Sequence, residues 1–294
     1  MRNNVEFVNI DWKQSRHHPT LLLQRTEMSI HVVFVNIDWN ESRRYRQPNR
    51  NLRFLKSTIT DIVQRMNPTV ICMCEVGEAN IPLSDWQMEH LAECVISAWN
   101  DAVTEHVKLC IMCTTGYPYM TIYNGGVVQC TDHRILDDLY KTGEQARTAQ
   151  AFVLVAPGGE SVDVINVHAP SQNKRLTDFQ RRLLLTNLLQ SKSQARRGFT
   201  IGNVPFLIGG DMNTTPILMS QLIQTCVDNG SLHTYTGVRA HVRNGAKDGD
   251  LCITGGILTA NTLSTTTGNH DPTHDPYGIC WSMPQYTAQR ISGN

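Results

Sequence analysis

Apolar residues occur in this chain with two spacings. Short continuous runs over residues 32–37, 70–74, 107–112, 119–123, 127–130, 149–155, 162–167 and 204–208 predict buried strands. Pro157-Gly158-Gly159 turns the sixth of these into the seventh as a hairpin. Between the runs, Leu52, Leu55, Ile59, Ile62, Val63 and Met66 follow a helical period that stops before Asn67-Pro68. Trp86, Leu91, Val95, Ala98 and Ala102 predict a second helix, and Phe179, Leu183, Leu184 and Leu188 a third over 177–190. The remainder, to about Trp281, reads as strand and loop after a helix running from Pro216 towards Val227.

The stretch Phe206-Leu207-Ile208-Gly209-Gly210-Asp211-Met212-Asn213-Thr214-Thr215-Pro216 combines a strand, two glycines and a helix start. The glycines are expected to let the chain leave the sheet. Thr215 reads as an N-cap, with Pro216 at the first helical position. Asp211 and Asn213 then stand at the mouth of a strand, two residues apart. If the segment is extended they face a common point, which suits a hard cation or a phosphate oxygen. Asp and Asn are also ordinary turn formers. Polar residues end other apolar runs in the same way: Asn36, Glu75, Asn166 with His168, and Asp250. A sheet gathers such ends at one rim, where ligands bind more often than elsewhere.

A chain of 294 residues with 40% hydrophobic and 18% charged residues supports a globular core. Phe7-Val8-Asn9-Ile10-Asp11-Trp12 recurs as Phe34-Val35-Asn36-Ile37-Asp38-Trp39, and only the second copy leads into regular structure. Residues 1–28 therefore read as an added N-terminal segment, either a duplicated strand or a disordered tail, and 29–294 as one domain. The formal net charge of zero excludes binding nucleic acid by bulk charge and leaves local basic patches. Residues 43–53, with Tyr45, form one such basic loop, and Lys174-Arg175 another patch. No apolar run is long enough to span a membrane and no signal-like core follows Met1, so a cytoplasmic or nuclear monomer is expected. The nine cysteines are odd in number and mostly sit in apolar runs, as buried reduced thiols do. Cys110 and Cys113 have zinc-like spacing but lack a second pair.

The order of the strand-end residues resembles that of the endonuclease/exonuclease/phosphatase superfamily of deoxyribonuclease I-like metal-dependent phosphodiesterases. Asn36 resembles its first motif, Glu75 its metal-binding Glu and Arg147 an Arg ahead of a later strand. Asn166-Val167-His168-Ala169-Pro170 resembles N-x-H-x-P, Gly210-Asp211-Met212-Asn213 resembles G-D-x-N, and Asp250 matches a late Asp. The resemblance implies a four-layer α/β sandwich, two mixed sheets face to face with helices outside. It also implies a Mg²⁺ cofactor, with Mn²⁺ as an alternative, held by Glu75 and Asn36. His274 is the implied base and Asp211 orients it. His168 assists the transition state, Asp250 joins the catalytic group, and Arg147, Asn166 and Asn213 meet the substrate phosphate.

The last family motif, S-D-H-x-P, departs here. The chain reads Asn269-His270-Asp271-Pro272-Thr273-His274-Asp275-Pro276, so Thr273 stands where the family has Asp if His274 is the family His. If His270 is, Asn269 stands there. The expected activity is metal-dependent phosphodiester hydrolysis, foremost of nucleic acid. The alternatives are a phosphoinositide phosphatase, a sphingomyelinase-like enzyme, or a weakened member that binds phosphate ligands or proteins.

Overall fold

The computed structural model describes residues 21–37, 48–76, 85–105, 107–114, 116–142, 145–169, 206–212, 217, 221, 224, 239–242, 250–255, 260–264 and 277–290. Side chains are described over a narrower set, which leaves out 21–28, 48–51, 137–147 and everything from 239 onward. The first sheet contains β1 (Leu21–Asn36), β2 (Val70–Cys74), β3 (Leu109–Cys113), β4 (Tyr119–Asn124), β11 (Ala260–Ser264) and β12 (Tyr277–Arg290). The second contains β5 (Gln129–Thr142), β6 (Gln145–Val155), β7 (Ser161–His168), β8 (Phe206–Asp211), β9 (Arg239–Val242) and β10 (Asp250–Gly255). Their orders are β11-β12-β1-β2-β4-β3 and β5-β6-β7-β8-β10-β9. Each six-stranded sheet is antiparallel except at its centre, where β1 pairs parallel to β2 and β7 parallel to β8.

The period of two along the central strands separates two cores. Val33, Val35, Ile37, Ile71 and Met73 face the helices α1 (Pro48–Met66) and α2 (Asp85–Ala102). Ile30, Val32, Phe34, Val70 and Cys72 face Phe152, Leu154, Val162, Val164 and Leu207 of the second sheet. Helix α1 buries Leu55, Ile59, Ile62, Val63 and Met66, the stripe that its sequence predicts. It ends where Asn67 turns left-handed, with φ 44°, and donates its N–H to Val63 O. Helix α2 differs from expectation at one end of its stripe. Met88, Leu91, Val95, Ala98 and Trp99 are buried, whereas Trp86 is 71% exposed and stacks on His90.

Several boundaries move. The eight pairs from Leu21↔Arg290 to Met28↔Met283 extend β1 backwards, so the domain boundary expected after residue 28 falls inside a strand. Arg50 and Arg53 belong to α1 rather than to a basic loop. Of the run expected over 127–130 only the last two residues are strand, the start of fourteen-residue β5, and Arg147, expected ahead of a strand, lies inside β6 opposite Tyr140. Strand β8 includes both glycines and Asp211. The first copy of the repeat, the helix over 177–190 and the patch Lys174-Arg175 lie outside the described residues.

Strand β3 places Cys110 and Cys113, three residues apart, on opposite faces, so they cannot share a metal. Burial pushes the Cys72 thiol up to about 12, against a hydrogen bond with Thr121, which leaves it an inert thiol. No described helix is long and apolar enough to cross a membrane.

Candidate active site

The two parallel pairs end at one rim, between the sheets. On the inner faces, Phe34 of β1 is followed two residues on by Asn36, and Gly209 of β8 by Asp211. Val164 of β7 is likewise followed by Asn166 and His168. The apolar layer thus gives way to a polar one at the same level on all three strands. Asn36 Nδ2 donates to Asp211 Oδ2 across the gap at 3.1 Å. His168 Nε2 lies 3.3 Å from Glu75 Oε1 and 3.8 Å from Asp211 Oδ2. The His168 and Glu75 side chains are 12% and 16% exposed and Asp211 3%, so the pair keeps slight access to solvent and Asp211 almost none.

Glu75 reaches this point through an unusual backbone. A regular continuation of β2 would send its side chain with Ile71 and Met73 to the helix face. With φ 53°, Glu75 adopts the left-handed region, and its carboxylate meets the opposite sheet instead. The flanking main chain is held: Ile37 N–H donates to Cys74 O at 3.0 Å and Val76 N–H to Pro118 O at 3.2 Å.

The glycines before Asp211 have a different use from the expected one. A Cβ on Gly209 would lie 2.4 Å from the Phe34 ring. Gly210 has φ 123°, and a Cβ there would lie 2.1 Å from Val167 O. Both permit close packing within and between the sheets; neither ends the strand.

Asn166 is fully buried, and its amide donates to Met73 O at 2.9 Å. It ties one sheet to the other below His168. Asp250 is the register partner of Asp211 at the start of β10. Arg147 is placed by its backbone alone, in β6. Asn213 and His274, with both H-D-P triplets, lie outside the described residues.

Sequence reasoning passed over a second polar group on the inner faces. Thr121 donates to Gln150 Oε1 at 2.7 Å, and Gln150 Nε2 contacts Met112 O at 3.2 Å and His133 Nε2 at 3.1 Å. The alternation Tyr119-Met120-Thr121-Ile122-Tyr123 carried the signal, with hydroxyls on one face and apolar residues on the other.

The donor set at the rim consists of carboxylate and amide oxygens with one imidazole. Among the described residues no three His, Cys, Asp or Glu side chains are arranged to encase a metal. Carboxylate and amide oxygens are the ligand type that Mg²⁺ takes.

No family model matches the chain, and no curated protein matches it. Solved structures do. ANGEL2, a 2',3'-cyclic phosphatase in complex with adenosine-2',3'-vanadate, superposes with a TM-score of 0.59 over 96% of this chain and 99% of its own, at 12% identity. An endonuclease/exonuclease/phosphatase family protein from Bacteroides thetaiotaomicron gives 0.55 over 87% and 96%, at 13% identity. This is the endonuclease/exonuclease/phosphatase fold. Truncated Caenorhabditis elegans TDP2 has it too, with a TM-score of 0.52 over 86% and 97% of the two chains at 16% identity. The expected α/β sandwich of two mixed sheets is therefore the observed one. Within this fold the rim of Asn36, Glu75, His168 and Asp211 is the candidate active site.

Proposed function

We propose that the protein is a phosphoesterase that hydrolyses phosphodiesters at this rim, with Mg²⁺ as cofactor and nucleic acid as the foremost substrate. The observation that carries the reading is the His168 imidazole held between two carboxylates from opposite sheets, with an amide braced on one of them. Protonated, His168 pairs with both carboxylates and can present a proton to a leaving oxygen or neutralise charge on a phosphate. Asp211, fixed by Asn36, is ready to orient a base, the role assigned to His274. Glu75, at the mouth, is the carboxylate for Mg²⁺, with Asn36 beside it. Bound Mg²⁺ supplies charge neutralisation on the phosphate and a lowered pKa for bound water. Asn213 and Arg147 serve the phosphate, and Asp250, beside Asp211 in register, completes the acidic edge.

A nucleotide substrate agrees with the adenosine-2',3'-vanadate bound by ANGEL2. A neutral net charge favours local recognition over an electrostatic trap. The second reading, a weakened member that binds phosphate ligands, rests on Thr273 in place of the family's Asp.

Purified protein incubated with Mg²⁺ or Mn²⁺ on plasmid DNA, RNA, phosphoinositides, sphingomyelin and a generic phosphodiester separates these readings. Metal-dependent hydrolysis that disappears in Glu75→Gln and in His168→Ala supports the first. Absence of hydrolysis across the whole panel supports the second.

A further inference from the structure

Tyr119 takes no part in the chemistry above, yet it touches both sides of the site. It opens β4 in the first sheet and is 2% exposed. Its hydroxyl donates to Thr148 O of β6 at 2.6 Å. The same oxygen accepts the backbone N–H of His168, on β7, at 3.4 Å. A phenol has one hydrogen to give and lone pairs with which to accept, so one hydroxyl serves both partners in the second sheet.

The main chain of the same segment brackets Glu75. Tyr119 is the register partner of Cys74, the residue before Glu75. Pro118 O accepts from Val76 N–H, the residue after it. A left-handed non-glycine residue is strained and persists only where its surroundings hold it. Residues 118 and 119 are part of that hold. One short segment therefore restrains the Glu75 main chain directly and the His168 main chain through a side chain.

The two sheets also match in topology here. Strand β4 stands to β2 as β10 stands to β8, and Tyr119 opens β4 as Asp250 opens β10. The position that holds an acid in one half holds a buried phenol in the other.

We propose that Tyr119 is a positioning residue that sets the separation of Glu75 and His168. Its catalytic consequence rests on the phosphoesterase reading; its geometric part does not. Tyr119→Phe keeps the ring and removes only the hydroxyl, so a residue that merely fills space would show no response at His168.

The test is amide hydrogen exchange at His168, followed by NMR in wild type and Tyr119→Phe, with steady-state hydrolysis measured alongside. Exchange at His168 is expected to rise about fivefold, the factor that corresponds to losing one ordinary hydrogen bond, with Val164 in the strand interior unchanged. The turnover number is expected to fall by a similar factor with KM kept. Unchanged exchange at His168 overturns the proposal. So does a wild-type His168 amide that exchanges as fast as an unprotected one, a measurement that needs no variant. If neither Glu75→Gln nor His168→Ala affects hydrolysis, the phosphoesterase reading fails at this site, and the exchange result alone decides the role of Tyr119.

Discussion

At the scale of the residue, one backbone angle decides where the Glu75 carboxylate goes. The left-handed conformation at Glu75 is a cost that glycine would not carry. Glu75→Gly is therefore expected to raise thermal stability, by about 1 kcal/mol, while abolishing metal-dependent hydrolysis. Glu75→Gln is expected to abolish hydrolysis and leave the unfolding temperature near that of wild type. Thermal unfolding followed by circular dichroism, with an activity assay on the same samples, checks both variants. Gly209→Ala carries the opposite sign. Its methyl would meet the Phe34 ring, and overpacking of this kind costs ~1–3 kcal/mol. Because Phe34 and Gly209 lie one pleat below Asn36 and Asp211, the variant is also expected to lower turnover. An unchanged melting temperature in Gly209→Ala would show that the ring can shift freely. Sequence alone marked Gly209 and Gly210 as unusual but assigned them to a strand exit. The ring that requires the first glycine lies 175 positions away in the chain, one pleat below the Asn36–Asp211 bond, and no local pattern reports it.

At the scale of the element, periodicity located the strands and helices wherever one face is buried. Strand β2 agrees with its continuous apolar run because both of its faces are buried, and α1 agrees with its period because it has a single apolar stripe. Strand β5 was missed beyond Cys130, because register shifts between Thr131 and Arg134 and between Leu136 and Tyr140 break its alternation. The start of β1 was missed for another reason: Leu21 to Met28 pairs only with β12, and β2 joins from Val32 onward. Removal of residues 1–28 is thus expected to lower stability more than removal of residues 1–20, since only the longer truncation deletes eight β1–β12 pairs. Urea midpoints of the two truncated proteins measure the difference, and equal midpoints would show that those pairs contribute nothing. The polar group between β4 and β6 adds a pH dependence. Burial lowers the pKa of His133, so the unfolded chain takes up the proton first as pH falls. Stability is expected to be constant above the ordinary histidine value of about 6.5 and to fall below it, and His133→Asn is expected to flatten that slope. A wild-type unfolding temperature with the same pH dependence as His133→Asn would remove this contribution.

At the scale of the molecule, the two sheets have the same plan. Each has a parallel central pair, and each places a polar residue at the end of its first parallel strand and an acid at or just after the end of its second. The contacts cross: Asn36 of the first sheet meets Asp211 of the second, and His168 of the second meets Glu75 of the first. Neither sheet holds a complete site, so a change in sheet spacing is expected to disturb both contacts together. Sequence order pointed to a common rim for Asn36, Glu75, His168 and Asp211, because strand ends collect there, but it did not foretell the crossing, which is a property of how two sheets face. With no net charge to draw polyanions from a distance, cleavage of duplex DNA is expected to depend weakly on salt, with few counterions released. A log–log slope of kcat/KM against salt as steep as that of a strongly basic binder, about −5 or beyond, would argue instead for an extended phosphate-binding track. The Phe34 ring pressed over Gly209 has a further consequence for solvent. Between β1 and β8 it leaves no room even for a methyl group directly under the polar layer, so the described polar side chains stand on a dry, close-packed floor.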